Sequence, residues 1–489
     1  MTLETTAKPT ITIDGTAVSF TPGDTIMKAA ERAALDGTIP RFCYHPGLPV
    51  AGTCRMCTVE VEKAPKLMTA CSTPCNDGMV VHTQSEKVKK SRAGVMEFLL
   101  ANHPLDCPVC DQAGECSLQN YNYEYGPHSS EFDEEKRTWP KSTTKKLSDK
   151  LTLNMNRCIH CERCVRFTDE VTKTHELTML NRGWKKELVS ASELGVMSDY
   201  QGNIADICPV GAITFNEFRF KKRVWFLKPR PSLCDGCSRG CAIWADEEKD
   251  IVYRYRARRN DDVNGHWICD SGRVSYQTYF HPERIVEPML RVKQELLATN
   301  WETLAPWVFK QLSLSKKTIF IIGTDATNEE IHELGRLKDL VRGPIDFRFM
   351  NGVNGVTTSA DDQDSDSILL RRDKTPNTKG LEASGIEAMK NESGYTLAIY
   401  YRAGRAVIPE KLAPIEIGWG VFTHHEAHRF DAVLPGLSTL EKSGSYINSQ
   451  GISQKFVATV KPKGSCSSVL KIVEGLKIVS QQEAHLGVY

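Results

Sequence analysis

Residues 43–57 read CYHPGLPVAGTCRMC, and a further cysteine stands at position 71. The spacing is Cys43-x10-Cys54-x2-Cys57-x13-Cys71, with a glycine two residues before the second cysteine. Glycine lets a loop follow a metal group closely, so that backbone N–H groups can point at the ligand sulfurs. Four thiols spaced in this way predict a metal site. Cys75 is an alternative fourth ligand, but we prefer Cys71.

The segment before this loop predicts a β-hairpin followed by a helix. Apolar residues alternate over positions 11–20 on either side of Asp14-Gly15, a pair typical of a tight hairpin turn. Asp24 is the expected N-cap of a helix from Thr25 to Leu35, which Gly37 would end. Plant-type [2Fe–2S] ferredoxins have the same order of hairpin, helix and cysteine loop, although here the first gap is longer and the last shorter. We therefore expect a [2Fe–2S] domain.

A second set of ligands lies in HPLDCPVCDQAGEC, residues 103–116. Its cysteines, Cys107, Cys110 and Cys116, lack a fourth thiol nearby. A lone histidine before such a loop is more often a surface or core residue, but here only His103 completes the set. Imidazole replaces an anionic ligand by a neutral one, which raises the potential of an iron–sulfur cluster. The segment predicts a [4Fe–4S] site with one histidine ligand.

The third set resembles half of a bacterial ferredoxin. Cys158, Cys161 and Cys164 have C-x2-C-x2-C spacing, and 43 residues separate the last of them from Cys208-Pro209. In a two-cluster ferredoxin, each run supplies the fourth ligand of the other cluster. Here the second run is reduced to Cys208, so the four cysteines predict a single [4Fe–4S] cluster.

The fourth set is Cys234-x2-Cys237-x3-Cys241-x27-Cys269. Zinc is the main alternative, because four thiolates suit tetrahedral Zn²⁺ equally well. A zinc ribbon usually has two C-x2-C pairs, whereas this set has three clustered ligands and one remote ligand. That asymmetry favours a third [4Fe–4S] cluster. Fifteen cysteines and one histidine then fill four sites, and two cysteines, Cys75 and Cys466, stay unassigned.

The composition excludes several other classes of protein. The net charge of +1 over 489 residues gives no reason to expect nucleic acid or an anionic membrane surface as a partner. No stretch reaches the roughly 18 uncharged apolar residues of a membrane span. The first ten residues lack a signal or transit peptide pattern, so we expect the chain to stay in the compartment where it is made. Dinucleotide-binding, Walker and nucleophile-elbow motifs are also absent from the sequence, which favours electron transfer without catalytic residues.

Four motifs together resemble the large iron–sulfur subunit of respiratory complex I, the proton-pumping NADH:quinone oxidoreductase. They are FCYHPGLPVAGTCRMC, HPLDCPVCDQAGECSLQ, CIHCERCVRF and DICPVGAIT. Members of this family are called the G subunit in bacteria and the 75 kDa subunit in mitochondria. The resemblance covers residues from about 10 to about 275.

The resemblance implies an electron relay in the peripheral arm of the complex. NADH and FMN would be bound by a partner subunit, and other iron–sulfur subunits would carry electrons on toward quinone. The Cys43, Cys158 and His103 sites would be successive stations. The Cys234 site resembles an extra cluster of some bacterial members, off the main path, which implies a bacterial origin. The chain would then lie peripherally on the cytoplasmic side of the inner membrane.

The second half is similar to molybdopterin oxidoreductases. RPSLCDGCSRGC and NGHWICDSGR resemble the cluster domain of formate dehydrogenases, and DAVLPGLSTLEKSGSYINSQGISQ resembles a later segment of that fold. Such enzymes typically have a lysine two residues after the fourth cysteine, where this chain has Ser271. In addition, the remaining segment, residues 280–489, is too short for their pterin-binding domains. We therefore expect no molybdopterin, but an α/β scaffold with strands near Thr318–Ile322, Tyr395–Tyr400 and Ala413–Ile417.

The predicted fold class is a multidomain mixture of α+β and α/β. The expected regions are a β-grasp [2Fe–2S] ferredoxin-like domain at 8–88, a small helical [4Fe–4S] segment with one histidine and three cysteine ligands at 89–128, a bacterial-ferredoxin-like [4Fe–4S] domain at 150–225, a molybdopterin-oxidoreductase-type [4Fe–4S] domain at 226–282 and a degenerate molybdopterin-oxidoreductase-like α/β region at 283–489. Their joints are the charged stretch 129–150 and the residues near Lys228-Pro229-Arg230-Pro231. Residues 352–380 predict a long loop.

Two other functions share part of this pattern. An iron–sulfur relay subunit of a formate dehydrogenase or an NAD-linked hydrogenase would have the first three motifs. Ser271, the short carboxy-terminal region and the missing second C-x2-C-x2-C run argue against formate dehydrogenase, whereas a hydrogenase relay would differ in its partners. A scaffold with several zinc ions is the non-redox alternative.

Overall fold

The computed structural model describes residues 8–127, 129–139, 145–341, 343–350, 366–390, 392–402 and 410–485. The chain divides into two compact units, residues 1–226 and 227–489. The first three ligand sets lie in the first unit and the fourth set in the second. None of the helices within the described ranges combines the length and apolar character of a membrane span.

The first unit begins with the predicted hairpin, β1 (Thr10–Ile13) and β2 (Thr16–Ser19). Asp14 and Gly15 have φ values of 46° and 85°, as a tight turn with two left-handed central residues requires. The hairpin prediction is therefore confirmed. The two strands belong to a five-stranded sheet of order β2-β1-β5-β3-β4, completed by β3 (Thr58–Val61), β4 (Met68–Thr69) and β5 (Val80–His82).

The helix after the hairpin is shorter than predicted and has a different cap. It is α1 (Ile26–Arg32), and the hydroxyl of Thr25 accepts a hydrogen bond from the first turn at 3.3 Å. The prediction of Asp24 as the cap is wrong, because its carboxylate pairs with Arg32 instead. The helix also ends three residues early, since Ala34 has a left-handed conformation with a φ of 55°.

The rest of the first unit is built from short elements around the second and third ligand sets. A three-stranded sheet has the order β10-β7-β6, and β8 pairs with β9. The elements are α2 (Glu86–Ala101), α3 (Ser117–Tyr125), β6 (Lys145–Lys146), β7 (Leu151–Leu153), α4 (Arg163–Arg166), β8 (Leu177–Leu180), β9 (Glu187–Ser190), α5 (Gln201–Ile207) and β10 (Ile213–Phe215).

The second unit opens with a three-stranded antiparallel sheet that carries the fourth ligand set. The division between the two units, at residues 226 and 227, lies beside the joint predicted near Lys228, and the first strand of this sheet includes Pro229 and Pro231. The elements are β11 (Lys228–Leu233), β12 (Ala242–Glu248), β13 (Ile251–Ala257) and the short helix α6 (Asp270–Arg273).

The rest of the second unit contains an eight-stranded sheet of order β15-β14-β21-β20-β19-β16-β17-β18, whose strands from β16 to β21 are parallel. It also contains a separate antiparallel pair, β22 and β23. The elements are β14 (Met289–Val292), β15 (Glu295–Ala298), α7 (Trp301–Leu314), β16 (Thr318–Ile322), α8 (Asn328–Gly335), β17 (Ile345–Phe349), α9 (Thr378–Ala383), β18 (Glu387–Ala388), β19 (Leu397–Arg402), β20 (Ile415–Gly420), α10 (His424–Ala427), β21 (Ala432–Pro435), β22 (Gly444–Ile447), β23 (Ser453–Phe456) and α11 (Val469–His485).

This sheet confirms the predicted α/β region. β16 has the predicted bounds, and β19 and β20 each begin two residues later than predicted. Side chains alternate along β16, so that Phe320 and Ile322 pack on α7, α8 and α11, while Ile319 and Ile321 belong to the core on the opposite face.

Leu312 and Leu314 provide a matched test of this core. Leu312→Ala should destabilise the second unit by about 2–5 kcal/mol, because this side chain of α7 is fully buried in the hydrophobic core against the sheet. Leu314→Ala should cost less than about 0.5 kcal/mol, since that side chain is 59% exposed. Calorimetric unfolding of the two variants measures the difference. Equal stabilities would contradict the described packing of α7.

Candidate metal centres

The first set of thiols comes together in the loop between α1 and β3 and the turn after β4. The backbone N–H of Cys43 donates to Cys54 Sγ at 3.4 Å, and the thiols of Cys57 and Cys71 lie close enough to shift each other's pKa. Interaction with the Cys54 thiol lowers the pKa of the Cys43 thiol and raises that of Cys54, so Cys43 is the member of this pair that forms the metal-binding thiolate more readily. The Cys43 thiolate is also close enough for its charge to affect the pKa values of Cys57 and Cys71, so the structure brings all four predicted residues together.

Cys75 has different surroundings. Its N–H donates to the carbonyl oxygen of Asp24 at 2.8 Å, and the charged groups beside its thiol are Asp24 and Arg32. Burial raises the pKa of Cys75 to about 11, so the thiol is protonated at neutral pH. The structure therefore favours Cys71 over Cys75 as a member of the first set.

The second set lies between α2 and α3. Cys110 and Cys116 are buried, whereas Cys107 is exposed. Burial raises the pKa of Cys116, and the nearby thiols of Cys110 and Cys107 act in the same direction. The three cysteines therefore form one electrostatic group.

His103, the proposed fourth member of the second set, follows α2 directly. Burial lowers the pKa of its imidazole to about 4, and the nearby charges of Lys136 and Arg157 add to this effect. The ring is therefore neutral at physiological pH, which is the form that binds metals. Among the described residues, no hydrogen bond joins the ring to the three thiols, so the ligand role of His103 stays a prediction.

The third set surrounds one enclosed cavity, which Arg163 also lines. Burial raises the pKa of every thiol in the set, that of Cys161 to about 11. Four buried thiols become thiolates only where a positive charge offsets the cost of burial. The cavity lining includes the four predicted ligands, Cys158, Cys161, Cys164 and Cys208, together with Glu162, Arg163 and several apolar residues.

The backbone of the third set is wrapped by two left-handed residues, His160 and Glu162, with φ values of 54° and 58°. This conformation is costly for residues other than glycine. It lets the N–H of His160 donate to Cys158 Sγ at 3.4 Å. Lys186 holds both strained residues, because its carbonyl oxygen lies 2.9 Å from the His160 ring and its ammonium pairs with Glu162.

The fourth set lines a cavity of about 180 Å³. The N–H of Gly272 donates to Cys269 Sγ at 3.3 Å. A Cβ at this glycine would lie 3.0 Å from Cys234 Sγ and 3.3 Å from Cys269 Sγ, so a larger residue would crowd the sulfurs. Burial raises the pKa of the Cys237 and Cys241 thiols. The cavity thus joins all four predicted ligands.

Lys374 also lines this cavity, and the sequence analysis missed it. Lys374 belongs to the loop predicted at 352–380, of which residues 352–365 lie outside the described ranges. Near the end of that predicted loop, Thr378–Ala383 form a helix instead. The Nζ of Lys374 donates to the carbonyl oxygen of Arg371 at 2.6 Å, and its charge opposes the effect of burial on the pKa of Cys237. A cation is therefore present beside the fourth set, although Ser271 stands where molybdopterin oxidoreductases typically have a lysine.

Cys466, the other unassigned cysteine, lies apart from the ligand sets in the second unit. It is buried, and Nη2 of Arg284 lies 3.7 Å from its Sγ. Arg284 also forms a buried ion pair with Glu441 at 2.6 Å. The buried surroundings of Cys466 thus include this ion pair.

The donor chemistry of the sets fits iron–sulfur clusters. Thiolates are ligands of these clusters and of zinc, and N–H groups that donate to ligand sulfur tune cluster potentials. Such an N–H group is present in the first, third and fourth sets. Within the described ranges, no three His, Cys, Asp or Glu side chains converge as the ligands of a single metal ion do.

Four family models match separate parts of the chain. They are a 2Fe-2S iron-sulfur cluster binding domain over residues 7–86, the NADH-ubiquinone oxidoreductase-G iron-sulfur binding region over 92–131, the ferredoxin-like domain of NADH-quinone oxidoreductase subunit 3 over 148–214, and molybdopterin oxidoreductase over 417–477. The predicted fold class is confirmed, and the chain carries binding domains for [2Fe–2S] and [4Fe–4S] clusters.

Curated relatives confirm the resemblance drawn from the motifs. The chain is 40% identical over 292 residues to the G subunit of the NADH-quinone oxidoreductase of Rickettsia bellii, a match that covers 60% of this chain and 42% of the relative. It is 39% identical over 351 residues to the mitochondrial NADH dehydrogenase [ubiquinone] iron-sulfur protein 1 of Solanum tuberosum, covering 71% and 46%. The chain thus spans less than half the length of these relatives.

A solved chain of an NAD⁺-reducing [NiFe]-hydrogenase is 30% identical to this protein, with a TM-score of 0.39. The match covers 45% of this chain and 92% of the hydrogenase chain.

Separate substitutions of Cys71 and Cys75 test which of the two cysteines is the fourth ligand of the first set. Cys71→Ala should abolish the [2Fe–2S] signal of anaerobically purified protein and remove about two iron atoms per chain, because it breaks the group of four thiols. Cys75→Ala should keep both the signal and the iron, since its thiol lies beside Asp24 and Arg32. Electron paramagnetic resonance (EPR) and iron analysis measure both. A signal that survives in the first variant and is lost in the second would reverse the assignment.

Proposed function

We propose that this chain, a relative of the G subunits of NADH-quinone oxidoreductases, is an electron-relay subunit of a proton-pumping NADH:quinone oxidoreductase. Its thiols and His103 would hold one [2Fe–2S] cluster and three [4Fe–4S] clusters, which supply one-electron redox centres when bound. A partner subunit would bind NADH and FMN, and other iron–sulfur subunits would lie on the quinone side. The chain would be peripheral, on the cytoplasmic side of a bacterial inner membrane.

The observation that carries the proposal is the physical continuity of the first three sets. Arg166 donates hydrogen bonds to the carbonyl oxygens of Cys43 and Cys161, so one side chain joins the first set to the third. The other end of the third set touches the second set. Ser117, which follows Cys116, donates its N–H to the carbonyl oxygen of Pro209 at 3.0 Å.

Gly211 brings the second and third sets closer still. A Cβ at this position would lie 2.2 Å from Cys110 Sγ, so the backbone after Cys208 packs directly on a sulfur of the second set. The third set therefore contacts both of the others, as expected for the middle member of an order Cys43 set, Cys158 set, His103 set. This is the order of stations that the resemblance implies, and it supports a relay through the first unit.

The fourth set belongs to the second unit, and the resemblance places it off the main path. Its cavity holds four thiols and Lys374, with Ser271 and Gly272 beside Cys269. Ser271 stands where molybdopterin oxidoreductases typically have a lysine, which supports a site that carries no molybdopterin and acts on no substrate of its own.

The ligand role of His103 can be tested by His103→Cys. The variant should retain a [4Fe–4S] cluster with a lower reduction potential, because the ligand set gains a negative charge. His425→Cys adds a thiol at an exposed position of α10 and should leave every potential unchanged. Redox-titrated EPR of the full-length chain measures the potentials. An unchanged potential in His103→Cys would exclude this histidine as a ligand.

The off-path position of the fourth set can be tested by Cys269→Ala. About four iron atoms should be lost, whereas NADH:quinone turnover of the assembled complex should largely survive. Cys158→Ala removes a ligand from the third set, so the same assay should lose its turnover. If the assembled Cys269→Ala complex is inactive, the fourth set lies on the path. If assembled Cys158→Ala retains turnover, the proposed relay fails.

A further inference from the structure

The third set contains a second arginine, Arg163, which contacts both ends of its own set and the first set. Its Nη2 donates to the carbonyl oxygen of Tyr44 at 2.6 Å, and its Nη1 donates to that of Ile207 at 3.1 Å. Tyr44 follows Cys43 directly, and Ile207 precedes Cys208 directly. One planar guanidinium therefore fixes the backbone beside one ligand of each set.

The charge of Arg163 acts on both sets as well. Thiols of both sets, Cys161 and Cys208 of the third and Cys54 and Cys43 of the first, interact with the Arg163 charge. Arg163 also lines the cavity of the third set, and its Nε is buried with no hydrogen-bond acceptor among the described residues. A positive charge in a partly buried site favours the more negative, reduced state of a neighbouring redox centre.

One acidic side chain, Glu162, lines the same cavity as Arg163, but it pairs with Lys186. Within the described part of the chain, the hydrogen bonds of Arg163 and Arg166 go to backbone carbonyl oxygens, and neither arginine forms an ion pair with a carboxylate. Carbonyl dipoles hold the guanidinium groups in place without cancelling their charge. Arg163 thus interacts with thiols of both sets and has no ion-pair partner among the described residues.

We propose that Arg163 is a positioning residue shared by the first and third sets, which fixes the separation of their clusters through Tyr44 and Ile207 and raises both reduction potentials through its charge. This inference rests on the proposed function, because it requires a cluster in each set. It differs from a purely structural role in one respect: two potentials should respond together to one side chain.

Substitution of Arg163 in the full-length, anaerobically purified chain tests this inference. Arg163→Gln should lower the potentials of the [2Fe–2S] cluster and of the Cys158 cluster and leave the other two unchanged. Arg163→Lys keeps the charge but not the planar fork, so the potentials should recover while the magnetic interaction between the two reduced clusters stays weaker than in the unmodified chain. Redox-titrated EPR measures potentials and magnetic interaction in the same samples.

Arg182→Gln is the matched control, because it removes an exposed arginine from the same unit and should change neither quantity. An iron-replete Arg163→Gln variant in which one or both potentials are unchanged overturns the inference. If Arg163→Gln loses iron, the test rests on Arg163→Lys instead. A magnetic interaction between the two reduced clusters of Arg163→Lys that equals that of the unmodified chain overturns the inference. An unmodified chain without clusters would refute the proposed function instead.

Discussion

Burial of cysteine thiols requires a compensating positive charge wherever those thiols must act as thiolates, because an anion loses its hydration in the protein interior. Fourteen of the 17 cysteines are buried, and burial raises the pKa of every thiol in the third set. Metal ions supply such a charge. The grouping of buried thiols is therefore the feature on which the interpretation of the whole chain depends.

The fold meets this requirement with short elements and irregular loops. Left-handed His160 and Glu162 wrap the third set, and Gly272 lets the backbone approach the sulfurs of the fourth set. Backbone N–H groups donate to sulfur in three of the sets. Cations come from side chains close to the thiols: Arg163 lines the cavity of the third set, and Lys374 lines that of the fourth.

The features that could be predicted from sequence are local. The hairpin turn at Asp14-Gly15 and strand β16 follow from short-range patterns, and the structure has both where the sequence predicts them. Closely spaced cysteines also had to lie near one another, since two or three intervening residues cannot separate them far. The prediction of Asp24 as a helix cap failed because a longer-range ion pair with Arg32 competes for its carboxylate.

The features that could not be predicted depend on contacts between distant segments. Spacing leaves Cys71 and Cys75 nearly equivalent, and only the packing against α1 separates the Cys75 thiol from the first set. Arg163 and Arg166 stand within the quoted motif CIHCERCVRF, but nothing local indicates that they reach the loop after Cys43. Lys374 comes from a loop with no ligand motif, so its place beside Cys237 has no signal in the sequence.

Iron and acid-labile sulfide analysis, combined with EPR of the reduced full-length protein, tests the central claim most directly. One binuclear and three tetranuclear clusters would give about 14 iron atoms and a similar number of sulfides per chain, with signals from distinct paramagnetic centres. Zinc without sulfide, or a colourless and iron-free protein after anaerobic purification, would contradict the account.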